Sequence, residues 1–174
     1  MKPVFSFLLI LFTAAANAQE VKNQFAFGPE IAFPTGYFGR SYSVGVGSNL
    51  RLLLAVNKTG QVGITSGYTS FSAKGSTDQI GAKYAVIPVL LGYRHFVNTT
   101  FCLEPQAGIG FYNLRVRYLG IKESNTETAF TWAMGAGFYA NGFELGVRFQ
   151  SGLTEAVKAN QVVLRLNYHL NLKN

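Results

Sequence analysis

Cysteine, histidine and charge are all scarce in this sequence. Cys102 is the one cysteine, so no intramolecular disulfide can form, and its size suits it to filling a strand position. His95 and His169 are the two histidines; with a single thiol on a separate segment they give no ligand spacing, and no metal or cofactor is expected. Charged residues make up 13% of the 174, about half the share usual in a soluble domain. Yet 48% of the chain is hydrophobic and Gly alone numbers 19. Little charge beside much glycine makes a poor recipe for a soluble outer surface. After the first eighteen residues no apolar run reaches 18 residues, and the best, Tyr84 to Tyr93, is interrupted by Pro88, which excludes a membrane-spanning helix. No linker, low-complexity tract or true repeat divides the chain, so one domain is expected.

The N-terminal stretch stands apart. "MKPVFSFLLILFTAAANA" carries Lys2, an apolar run from Val4 and an Ala16-Asn17-Ala18 cleavage site, the pattern of a secretory signal peptide over residues 1–18. No cysteine follows it, so a lipid anchor is not expected. The mature domain, 19–174, then lies outside the cytoplasm. Lys and Arg number 15 against 8 Asp and Glu, a net charge of +7. Export removes nucleic acid as the partner of that charge and leaves an anionic surface or solubility alone.

What the mature sequence has in abundance is alternation. Phe25, Phe27, Ile31 and Phe33 share one face of a first strand, opposite Gln24, Ala26, Gly28, Glu30 and Ala32. Val44, Val46, Leu50, Leu52 and Leu54 oppose Gly45, Gly47, Asn49 and Arg51; Val62, Ile64 and Tyr68 oppose Gly63, Thr65, Gly67 and Thr69. A fourth strand sets Ile87, Val89, Leu91 and Tyr93 against Pro88, Gly92 and Arg94, with Val86 and Leu90 blurring its phase. Phe101 to Phe111, Phe130 to Phe138, Phe143 to Gln150 and Leu164 to Leu172 complete eight. Short turns at 56–60, 97–100 and 140–142, the last with Asn-Gly, alternate with longer polar loops expected at 34–42, 72–82, 115–127 and 152–158. Asn57-Lys58-Thr59 and Asn98-Thr99-Thr100 match a glycosylation pattern, but their place in these turns assigns the Asn to turn chemistry.

Two eight-stranded barrels fit such a pattern. A soluble ligand-binding barrel points its apolar face inward; a membrane barrel points it outward. The polar face here holds Glu30, Asn49, Arg51, Arg94, Glu104, Gln106, Glu144, Arg148, Gln150, Arg165, Asn167 and His169, and is otherwise Gly, Ala, Ser and Thr. That makes a poor water-exposed surface and a good filling for a narrow interior, where Glu30, Glu104 and Glu144 can pair with Arg51, Arg94, Arg148 and Arg165. The apolar face carries almost no charge at strand centres. Its aromatics gather at two levels: Phe33, Tyr68, Phe111, Phe130 and Phe149 near the long loops, and Tyr93, Phe101, Phe138, Phe143 and Tyr168 near the short turns. Two girdles are the membrane expectation. The fold class expected is all-β: an eight-stranded antiparallel up-and-down transmembrane β-barrel.

On "GPEIAFPTGYFGRSYSVGVG", "YAVIPVLLGYRHF" and "EPQAGIGFY", with the signal peptide and the closing amphipathic strand, the chain resembles the small outer-membrane β-barrels of the OmpA/OmpX type in Gram-negative bacteria. The resemblance spans 19–174 and implies a monomer in the outer membrane, contacting its lipid, inserted by the outer-membrane assembly machinery. It also implies a periplasmic N-terminus and short turns, with the long loops extracellular. Such chains usually close on an aromatic residue; this one closes on Leu172-Lys173-Asn174.

Function is less legible. Members of that family serve as anchors, adhesins, small pores or lipid-modifying enzymes. An enzyme acting on lipid A needs a base near the long loops, but both histidines fall beside the short turns, so no catalytic residue is assigned. The expected role is structural or surface-interactive; a small passive pore and a secreted soluble binding barrel are the alternatives. Long-loop cations Arg40, Lys74, Lys83, Arg115, Arg117, Lys122 and Lys158 face acids Asp78, Glu123, Glu127 and Glu155. Arg40, Lys74, Arg115, Arg117 and Lys122 are candidate contacts for lipopolysaccharide phosphates, and read equally well as a solvated basic rim.

Overall fold

A backbone that crosses hydrocarbon must bond all its peptide groups to itself, and strands manage this only as a closed ring. The computed structural model describes residues 21–76, 80–118, 121–154 and 158–172; the expected signal peptide lies outside them, as do Asp78 and Glu155. The described residues form β1 (Gln24–Pro34), β2 (Gly45–Asn57), β3 (Gly60–Ser72), β4 (Ile80–Phe96), β5 (Phe101–Tyr118), β6 (Ile121–Ala140), β7 (Phe143–Leu153) and β8 (Lys158–Asn171). Each is antiparallel to the one before it, and β8 closes on β1 from Gln24↔Asn171 to Pro34↔Gln161.

The pleat sorts the side chains. Leu166 is 49% exposed on the outside while Arg165 and Asn167, its neighbours, are 2% and 0% exposed inside. Val46, Ile64, Leu91, Ile109 and Leu145 all point out, as do the two levels of aromatics. Slipping one strand by a single residue would exchange faces, so the ring's register is held by the whole pattern. This arrangement, apolar outside and polar within, is the inverse of a soluble binding barrel. In β4 the phase is definite: Val86 and Leu90 are buried inside the ring.

Turn chemistry accounts for the short rim. Asn141 and Gly142 take φ of 51° and 82°, the left-handed pair that a two-residue hairpin turn requires. Asn98 accepts hydrogen bonds from the Thr100 and Phe101 amides, and Asn57 from the Thr59 amide at 2.9 Å.

At the other rim the structure departs from expectation. The stretch 115–127, expected as a loop, is mostly strand: β5 runs on to Tyr118 and β6 begins at Ile121, pairing Arg115↔Ser124 and Arg117↔Lys122. Backbone bonds carry the sheet past the hydrocarbon with its phase reversed: on β5 Leu114, Val116 and Tyr118 share the inner face and Arg115 and Arg117 the outer, while on β6 Ile121 is the one apolar residue of 121–127. β4 likewise starts at Ile80 within the expected 72–82 loop. The 34–42 segment holds a short helix, α1 (Gly36–Ser41), which Gly36 at φ 61° turns away from β1 and which buries Phe38 in the barrel mouth.

The face assignment makes a direct prediction. Leu166→Arg places a charge in the apolar band at a cost of about 2–4 kcal/mol, whereas Arg165→Leu leaves the band intact. The fraction of protein that migrates as a folded, heat-sensitive band in unboiled gel samples should fall sharply for the first substitution and much less for the second; equal losses would contradict the orientation.

Candidate functional site

Eight strands leave an interior about one layer of side chains wide, so large groups fit only beside small ones. A Cβ at Gly146 would lie 2.7 Å from the Arg165 guanidinium Nε. Within that space the chain builds two tiers of different chemistry.

The tier nearer the short turns is ionic. Glu104 on β5 and Glu144 on β7 sit among Arg51 (β2), Arg94 (β4) and Arg165 (β8), all 2% exposed or less. Arg51 bonds both carboxylates, at 3.1 Å to Glu144; Arg94 lies 3.3 Å from Glu104 and 2.5 Å from Glu144; Arg165 lies 2.9 and 3.2 Å from the same pair. Gln106 donates to Glu104 at 2.8 Å. His169 meets Glu144 through Nε2 at 2.9 Å and Gln24 through Nδ1 at 3.1 Å. A looser group stands beside it: Arg148 is 3.6 Å from Glu30, which also accepts from the Thr69 hydroxyl. The seven charged residues assigned to the interior are thus all inside, five in one network and two in a neighbouring pair. Charges so deeply buried persist only when each has a partner.

The tier nearer the long connections is apolar. Phe38 packs with Phe71, Val86, Tyr112, Ala129, Ala159, Val163 and Ala32, and its ring centroid lies 4.8 Å from Tyr42 and 5.1 Å from Tyr84. The Thr35 amide donates to the Asn160 carbonyl at 2.8 Å and ties the start of the helix to β8. Sequence reasoning misses this cap. Its signal is three aromatics, Tyr37, Phe38 and Tyr42, in a segment otherwise read as a polar loop.

The long-loop cations fall into two groups. Arg40 lies 5.1 Å over the Tyr37 ring and Lys74 donates to the Gly39 carbonyl at 2.6 Å, so both serve α1. Arg115, Arg117 and Lys122 stand exposed on the β4–β5–β6 extension, where pairing sets Lys83 opposite Arg115 and Arg117 opposite Lys122. By alternation 111, 113, 115 and 117 share the outer face, which carries the apolar band below, so the cations begin about 13 Å beyond Phe111 along the strand. Arg115 is steadied by donating to Asn113 at 2.9 Å.

Neither histidine lies among the long-loop cations. His95 is exposed near the short rim with its ring 6.4 Å from Tyr93, and His169 belongs to the ionic tier. Among the described residues no group of three or more His, Cys, Asp or Glu side chains could hold a metal ion. Cys102 is a buried free thiol inside the ring.

Removing one carboxylate tests the ionic tier. Glu144→Gln strands three arginines beside a single remaining carboxylate and should destabilise the barrel by about 3–5 kcal/mol; Glu30→Gln, which frees one arginine held at longer range, should do less. Urea midpoints of the two variants refolded into lipid vesicles give the comparison.

No protein of curated function matches the sequence. Among solved structures, Ail, the attachment invasion locus protein of Yersinia pestis, in complex with the heparin analogue sucrose octasulfate, superposes with a TM-score of 0.70 at 18% identity, over 87% of this chain and 100% of that one. Neisserial surface protein A gives 0.60 at 13% identity over 86% and 97%, and OprG of Pseudomonas aeruginosa 0.59 at 10% over 89% and 99%. At such identities the likeness is one of fold. The family model described as the outer membrane protein beta-barrel domain matches residues 5–169, and with the closed ring, the apolar exterior and the charged interior already in place, the chain belongs to that family of integral outer-membrane barrels.

Proposed function

We propose that this barrel is a non-catalytic surface element of a Gram-negative outer membrane, delivered by the assembly machinery and acting as a monomer. Its long connections face outward, its N-terminus and short turns face the periplasm, and its β4–β5–β6 extension binds lipopolysaccharide phosphates. The observation that carries the reading is the pair of like-charge rungs, Lys83 opposite Arg115 and Arg117 opposite Lys122, just beyond the aromatic level on the lipid side of the sheet. Like charges directly across a rung repel. A phosphate between them turns repulsion into attraction, and the planar Arg fork is shaped to grip it. Arg40 and Lys74, engaged with α1, contribute to the local field and not to this grip. The Ail complex holds a polyanion in a barrel of the same fold; the support here is this chain's own cations.

A catalytic role finds no support, because both histidines lie toward the short turns. A conducting role meets two obstacles in series, the ionic tier and the aromatic cap, so purified barrel in planar bilayers should give no stable single-channel steps; regular steps would favour the pore. Arg115→Ala with Arg117→Ala should weaken lipopolysaccharide retention about fivefold per cation removed, while Lys58→Ala on the opposite rim should leave it unchanged. Lipopolysaccharide co-purifying with each protein is the measurement, and equal content in the wild type, the double variant and Lys58→Ala would remove the proposal.

A further inference from the structure

The outer face of the β4–β5–β6 extension is a grid, and its rungs give the order of the residues. Two successive rows read Lys83–Arg115–Ser124 and Gly81–Arg117–Lys122. Residues opposite one another across a rung point to the same side, as do residues two apart along a strand. Four cations therefore share this face, and all four are exposed. Glu123 and Glu127 pair with Val116 and Tyr112 on the other face, so no acid stands among the described residues of these rows. Gly81 and Ser124, being small, leave the flanks of the cations open to a ligand.

Height decides what such a face can reach. Phe111 belongs to the outer aromatic level, where the hydrocarbon ends. Arg115 and Arg117 follow it along β5 by about 13 and about 20 Å of strand. A strand tilt of about 40° turns these lengths into heights of about 10 and about 15 Å above that level. The headgroup zone on one side of a bilayer is only about 5–8 Å deep, and an extended Arg or Lys side chain spans about 6 Å at ordinary bond lengths. Lys83 and Arg115 can thus bend down to phosphates in the headgroup zone. Arg117 and Lys122 stay above it, and a phosphate that meets them must stand out from the membrane.

We infer that the upper pair, Arg117 and Lys122, binds phosphates on the saccharide core of lipopolysaccharide, beyond its acylated sugars, while Lys83 and Arg115 meet its phosphates at headgroup level. The inference rests on the lipopolysaccharide reading and refines it: one molecule is gripped at two heights. Contact at the lower rung holds the core of the same molecule beside the upper rung, so the second contact forms at high effective concentration.

The test places the folded, isotope-labelled barrel in phosphatidylcholine nanodiscs and follows NMR shifts of Arg115, Arg117 and Lys122 as lipids are added. Lipid A alone should move Arg115 and leave Arg117 and Lys122 in place. Lipopolysaccharide with a phosphorylated core should move all three, and the same lipopolysaccharide from cells lacking the core kinase, with its lipid A intact, should act as lipid A does. Inorganic phosphate at the same concentration should move none of them to saturation. Equal shifts of Arg117 and Lys122 with lipid A alone overturn the inference and leave the lipopolysaccharide reading standing, as do their silence with the phosphorylated core and their saturation by free phosphate. No response of any of the three to any lipid removes both. Arg117→Gln with Lys122→Gln should weaken retention of the core-phosphorylated form by up to about fivefold per cation and leave retention of lipid A unchanged. Both positions lie outside the hydrocarbon, so the folded gel band should persist in that variant.

Discussion

Hydrocarbon offers a peptide group no partner, and that constraint shapes everything else in this chain. It demands a ring of strands bonded to one another without an edge. It demands an outer face of Leu, Ile, Val and aromatic side chains, and with only eight strands it leaves an interior too narrow for bulk solvent. The charged residues sent inward therefore find their partners among other residues sent inward. Glu104 and Glu144 act as hubs for that reason: between them they bind three arginines drawn from three strands, and β2 is tied across the barrel to β7 through Arg51 and Glu144. Neighbouring strands are already joined by their ladders; Arg51–Glu144 and Arg165–Glu104 add bonds between strands that share none.

The two tiers divide the labour. The ionic half braces the barrel from within, while the aromatic half seals the mouth and shapes a recess above the seal. The same alternation that separates lipid face from interior continues past the membrane into the β4–β5–β6 extension, where it separates bases from an acid. One period-two rule thus turns Arg115, Arg117 and Lys122 outward and Glu127 inward within a single sheet.

Most of the barrel is legible in the amino-acid sequence, because each spanning strand has one wet and one greasy face and the chain spells the difference at every second residue. Leu164 to Leu172 is the clearest example, and the seven interior charges follow from the same parity. Legibility fails where the phase reverses. Beyond Phe111 the bases Arg115 and Arg117 take the outer face and Leu114, Val116 and Tyr118 the inner, and over 122–127 apolar residues run out although the backbone bonds continue. Phe38 is illegible for another reason: its burial depends on residues of β3, β4, β5, β6 and β8, and no local window contains them. Which cations share a rung, such as Arg117 and Lys122, likewise follows from hairpin register and not from composition.

The cap has a temporal side. Phe38 belongs to the connection between the first two strands to be synthesised, yet its seat is made by Phe71, Val86, Tyr112, Ala129, Ala159 and Val163, the last two on the strand that closes the ring. Because Ala159 and Val163 lie on β8, that seat is complete only when β8 has paired with β1.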